Sequence, residues 1–74
     1  MNPPIMWTMF VFVNGERQEL PQPCTVERML ERLSLGDAAC AVEVNATLVP
    51  KRDHAAHELG EGDTIEVVSL VGGG

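Results

Sequence analysis

Residues 6–13 (MWTMFVFV) form an almost unbroken apolar run rich in β-formers, and Asn14-Gly15 follows it at once. No other stretch restricts the fold as strongly. A run of this kind stopped by Asn-Gly reads as a strand entering a tight hairpin, because both central positions of a type I′ turn need positive φ. Its uniform apolarity is the pattern of a central strand covered on both faces. Residues 16–20 are then the returning strand, stopped by Pro21 and Pro23, which cannot donate to a ladder.

The period then changes. Val26, Met29, Leu30 and Leu33 fall at i, i+3, i+4 and i+7, one stripe of an amphipathic helix. Thr25 stands at its N-cap, with Glu27 in the first turn where the helix dipole favours an acid. Gly36 is placed to end it, and Arg28, Glu31 and Arg32 face water. Residues 40–44 read as a third strand, Asn45-Ala46 as a turn, and residues 47–49 as a short fourth strand closed by Pro50. A polar connection with one helical turn follows, then a tight turn at Gly60-Glu61-Gly62-Asp63. Residues 64–71 (TIEVVSLV) form the last strand.

One helix against a mixed sheet of four to five strands is a two-layer α+β arrangement. A helix between two strands lets the first and last strands pair in parallel at the sheet centre, and these are the two most apolar strands of the chain. The architecture expected is the β-grasp. It occupies residues 1–71 as a single domain, with residues 1–8 as an N-terminal extension and residues 72–74 as a flexible arm.

The 74 residues leave no room for a catalytic cleft with its own supporting shell. A domain this small buries only about 60% of the surface its unfolded chain exposes. Eleven acidic residues against five basic ones give a net charge of −6, which repels nucleic acid and favours basic patches on protein partners. Cys24 and Cys40 are too few for a disulfide framework. No signal peptide is evident, and no apolar run approaches the roughly 20 residues that span a bilayer. The cytoplasm is the expected compartment, with no membrane partner.

Candidate chemistry is scarce among the side chains. His54 and His57 with Cys24 and Cys40 lack the close cysteine spacing of zinc sites, and read as surface histidines and partly buried thiols, so no metal is expected. Nothing positions a Cys–His pair for nucleophilic catalysis, and no catalytic residue is expected. The tail Val71-Gly72-Gly73-Gly74 is different. Three glycines just after a core strand make an arm with no side chain to obstruct a narrow channel. At roughly 3.3–3.6 Å per residue, such an arm carries the Gly74 carboxylate about 10 Å from the domain. Val68, Leu70 and Val71 place apolar side chains on both faces at the end of the last strand. One face is core, so the other is expected to dock partners, with the acids Glu66 and Glu61 steering the encounter.

These pieces, in order, resemble the thiamine-biosynthesis sulfur carriers, the ThiS-like family. The likeness rests on Val13-Asn14-Gly15-Glu16; on Thr25-Val26 opening a helix with Leu30 and Leu33; and on residues 42–45 and 48–52. Above all it rests on Glu61-Gly62-Asp63 leading through Ile65-Glu66-Val67-Val68 to the terminal glycines. Residues 1–8 precede the usual family start, and Ala46 stands where many members have glycine. The resemblance implies a ubiquitin-like β-grasp and a protein co-substrate, not an enzyme. It also implies that an E1-like adenylyltransferase adenylates the Gly74 carboxylate with ATP, and that a sulfur donor protein converts it to a thiocarboxylate. Thiazole synthase then takes the sulfur. Gly73 and Gly74 match the reactive pair, Gly72 lengthens the arm, and no cofactor is bound. Two other readings stay open: the small subunit of molybdopterin synthase, whose relatives tend to carry proline before the terminal segment, and a ubiquitin-like modifier or regulatory β-grasp module.

Overall fold

The computed structural model describes residues 7–36 and 39–70. In chain order the elements are β1 (Thr8–Val13), β2 (Glu16–Pro21), α1 (Val26–Arg32), β3 (Cys40–Val44), β4 (Thr47–Val49), a 3₁₀ turn (Lys51–Asp53) and β5 (Thr64–Ser69). Two Asn-led turns make the hairpins β1–β2 and β3–β4. Asn14 and Gly15 sit at φ 52° and 86°, and Asn45 and Ala46 at 52° and 68°. The two hairpins are joined only through β5, which runs parallel to β1 and antiparallel to β3, in the sheet order β2-β1-β5-β3-β4. This is the β-grasp expected from the sequence.

One helix covers one face. The Thr25 hydroxyl accepts from the Arg28 N–H at 3.2 Å, capping α1 as its position implied. The expected stripe is core: Val26 and Met29 are fully buried, Leu30 nearly so, and Leu33 packs against the cluster from the helix C-cap. Beneath them lie Met9, Val11 and Val13 of β1, Val42 and Val44 of β3, Val49 of β4 and Ile65 of β5.

Several local expectations are corrected. Strand β1 is not covered on both faces. Phe10 and Phe12 lie on the face away from the helix, only half-buried, with ring centroids 5.7 Å apart in a T-shaped pair. The Arg17 guanidinium stacks 4.4 Å from the Phe10 centroid, so a long cationic side chain does part of the work of a second layer. Trp7, at the strand's entrance, is 75% exposed. Thr8, expected in an extension, pairs with Pro21 inside the sheet, so Pro21 closes β2 as an edge residue. Residues 1–6 of that extension lie outside the described residues. The helix ends at Arg32 with Leu33 as its C-cap, and Ser34 just beyond takes a left-handed φ of 62°, so the chain turns before reaching Gly36, the residue expected to end it. Ser34 N–H and Leu35 N–H satisfy the carbonyls of Glu31 and Leu30, so the capping bonds form without the glycine.

Candidate functional site

Strand β5 is held where it matters for anything that follows it. Both amide atoms of Asn14 bind the Val67 backbone: Oδ1 accepts its N–H at 2.8 Å and Nδ2 donates to its carbonyl at 3.1 Å. Strand β1 has ended by then, so one turn asparagine continues its parallel pairing with β5. Asn45 does likewise at the start of β5. It accepts the Thr64 N–H at 3.0 Å and donates to Asp63 Oδ1 at 3.0 Å. Beyond β5, Leu70 N–H still donates to the Ala39 carbonyl at 2.7 Å. The chain therefore leaves the middle of the sheet from a fixed point. Val71, Gly72, Gly73 and Gly74 lie outside the described residues.

Asn14→Ala should cost about 2 kcal/mol, through two lost hydrogen bonds and the loss of asparagine's tolerance of the left-handed backbone. It should also speed amide exchange at Val67 more than at Val11. Asn14→Gly keeps the backbone and loses only the side-chain bonds, so an unchanged Val67 amide in that variant would sink this role.

The uncovered face of the sheet near that exit is apolar with an acidic pair. Val68 and Leu70 are 57% and 56% exposed, whereas Val67 turns inward against the core. Leu48 of β4, 59% exposed, was not anticipated; its place in a three-residue strand carries no periodic signal. Glu43 and Glu66 are direct cross-strand partners, an unfavourable like-charge pair unless a cation neutralises it. Glu61 has a different duty: its Oε1 accepts the Phe10 N–H at 2.9 Å. Reversing its charge would disturb the fold as well as any steering, so Glu66 is the clean probe. Glu66→Lys should lower the association rate with a basic partner several-fold at low salt and, by giving Glu43 an opposite charge across the ladder, raise stability by up to about 1 kcal/mol. A salt-independent rate would count against steering.

On the helix side, His54 is buried rather than superficial. It is 7% exposed, and its Nε2 lies 3.0 Å from the Val49 carbonyl oxygen, to which it donates. Its own carbonyl accepts the Glu27 N–H, so the residue ties β4 to the first turn of α1. His57 is half-buried, and its carbonyl accepts the Val26 N–H. Among the described residues no group of three or more His, Cys, Asp or Glu is arranged to hold a metal ion. A cleft of about 140 Å3 opens beside His54, lined also by Glu27, Glu31, Cys40 and Lys51.

The thiols differ sharply. Cys24 is 2% exposed, and burial pushes its thiol up, with the Arg32 and Arg28 guanidinium groups offsetting only part of that. Folding thus favours the neutral thiol. The associated stability is fully present below the ordinary thiol range and is lost as pH rises through the elevated folded value. Cys40 is half-buried at the cleft. Iodoacetamide should therefore label Cys40 at least about tenfold faster than Cys24 in the native protein, the difference vanishing in denaturant. Equal native rates, read by peptide mapping, would contradict this packing.

Among the described residues no helix is long and apolar enough to cross a membrane. Comparison with known proteins bears on the whole fold. The chain is 36% identical over 66 residues to a thiazole synthase of Paramagnetospirillum magneticum, covering 89% of this chain but only 20% of that protein. It is 29% identical over 66 residues to the sulfur carrier protein ThiS of Escherichia coli, covering 89% of this chain and all of the relative. The crystal structure of a thiamine biosynthesis protein (ThiS) from Geobacter metallireducens superposes with a TM-score of 0.76 at 26% identity, covering 89% of this chain and 100% of that one. The ThiS family model matches residues 11–74, from the second buried residue of β1 through the terminal glycines, and on that extent the chain belongs to the ThiS family.

Proposed function

We propose that this protein is a sulfur carrier for thiazole formation in thiamine biosynthesis, with the Gly74 carboxylate as its reacting group. The observation that carries the reading is the family match, which runs unbroken through β5 to Gly74. A carboxylate is a poor electrophile until one oxygen becomes a leaving group. Attack of the Gly74 carboxylate on the α-phosphorus of ATP, with loss of pyrophosphate, makes an acyl-adenylate. A persulfide of the donor then attacks the carbonyl carbon and AMP departs, giving an acyl disulfide, and a thiol cleaves its S–S bond to leave the thiocarboxylate and a disulfide. An E1-like activating enzyme performs the first step, a sulfur donor protein supplies the second, and thiazole synthase consumes the product, all in the cytoplasm. The domain contributes a rigid exit point at Val67 and Leu70 and a docking face of Leu48, Val68 and Leu70 with Glu43 and Glu66.

The test is incubation with activating enzyme, ATP and sulfur donor, followed by thiol-directed alkylation and fragmentation. Intact mass is ambiguous, because exchanging oxygen for sulfur adds nearly the same mass as oxidising one of the four methionines. The label is expected on the C-terminal peptide. Labels confined to the peptides of Cys24 and Cys40 would overturn the assignment.

A further inference from the structure

Strand β2 ends the sheet: among the described residues only β1 pairs with it. Val13 and Glu16 form the first pair across the two-residue turn, and past the strand's far end Gln22 N–H donates to the Trp7 carbonyl at 2.8 Å. Bonded and non-bonded pairs alternate along an antiparallel ladder, so the even-numbered residues of β2 turn their backbone groups toward β1. Arg17 and Glu19 turn theirs outward, and Pro21 has no N–H to offer beyond them. A further antiparallel strand on this edge must therefore match odd residues with odd ones. If that strand is another β2, centring the pair on Arg17 or on Glu19 sets like charges directly opposite. Centring it on Gln18 sets Arg17 against Glu19 at both ends. The two side chains share the open face, are 60% and 68% exposed, and meet within the chain at 4.0 Å. Neither is committed to a close ion pair. Charges commonly keep an edge from pairing. Here opposite signs two residues apart make the edge complementary to itself.

We propose that β2 pairs with β2 of a second copy of this chain, in an antiparallel register centred on Gln18, joining two five-stranded sheets into one. Four backbone hydrogen bonds close the seam: Arg17 exchanges two with the partner's Glu19, and Glu19 two with the partner's Arg17. On the open face two Arg17–Glu19 ion pairs cross it. The two-fold axis runs perpendicular to the sheet through the Gln18 pair, so both open faces point the same way. The two β5 strands run in opposite directions, five strand spacings or about 24 Å apart. Leu48, Val68 and Leu70 stay clear of the seam in each copy. A seam of one short strand is a small interface, so the dimer is weak and forms with rising concentration. The pairing rests on the edge of β2 and not on the sulfur-carrier reading.

The experiment is sedimentation of the full chain over a rising concentration series, with amide exchange followed in parallel. The parent should pass from monomer to dimer, and the Arg17 and Glu19 amides should exchange more slowly as the dimer fills. Arg17→Glu and Glu19→Arg each set like charges across the seam and should weaken self-association at least about tenfold. Mixed in equal amounts, the two variants place opposite charges at every crossing and should form a heterodimer. Gln18→Cys tests the register without touching either charge. Residues at a non-bonded antiparallel pair lie about 4.5 Å apart between Cα atoms, within the span of a disulfide. Mild oxidation should therefore link two copies of that variant through position 18. A parent that stays monomeric at its highest soluble concentration, single variants that dimerise as well as the parent, exchange at Arg17 and Glu19 that ignores concentration, or a cross-link confined to Cys24 or Cys40 would each overturn the proposal.

Discussion

Deletion of Gly74 is expected to abolish adenylation while leaving the domain folded. Losing one residue withdraws the terminal carboxylate by about 3.3–3.6 Å. A misplacement of about 1 Å at a reacting centre already costs roughly a hundredfold, so ATP–pyrophosphate exchange should fall by at least that factor. Gly73→Val should act the same way, because a β-branched side chain obstructs a channel built for bare backbone. Thermal unfolding of both variants should stay within about 0.5 kcal/mol of the parent, since the core ends at Val67. Exchange activity that survived loss of Gly74 would end the assignment of this carboxylate as the reacting group.

Met29→Ala should produce the largest loss of stability. Met29 heads the largest fully buried side chains and sits on the helix stripe above β1 and β5. Truncation of a buried Met or Leu costs about 2–5 kcal/mol. At about 0.05–0.15 kcal/mol per residue, a domain of this size has only about 4–11 kcal/mol in all. The variant should show a clear fall in denaturant midpoint, with a partly unfolded population at the upper end of that range. Arg28→Ala, one position earlier on the exposed face, removes only a 3.7 Å surface ion pair with Glu31 and should stay within about 0.5 kcal/mol. Similar midpoints for the two variants would show that the helix is not anchored through Met29.

What could be read in advance followed from local chemistry with one dominant solution. Asn14-Gly15 dictated the first hairpin, and a 3.6-residue stripe from Val26 to Leu33 dictated the helix face. The failures trace to contacts made across the fold. Phe10 and Phe12 are apolar on the open face, so an alternating strand read as a uniformly buried one; the compensating contact, Arg17 over Phe10, lies across the hairpin. His54 sits in a polar segment without periodicity, and only the tertiary path of the Lys51–Asp53 turn brings its ring beneath the Val49 carbonyl. Glu61 is an exposed acid in a turn, with nothing in the sequence to announce that it accepts the N–H of a residue 51 positions away. Gly72, Gly73 and Gly74 were singled out by chemistry and position alone, and they lie outside the described residues.

The sheet order has a consequence for how the molecule is assembled. With β5 between β1 and β3, the other four strands form two hairpins that share no ladder. Each hairpin closes locally, within about 1–10 μs, yet an isolated pair of strands is marginal in water. The event that unites them is insertion of the strand synthesised last of the five, with contacts spanning most of the chain, which makes it the slow one. A nascent chain halted before Thr64 is therefore no smaller version of the domain, only two unmoored ribbons and a helix with nothing beneath it. Folding waits on the strand that leads to the glycines, so β5 is in place whenever the domain is folded.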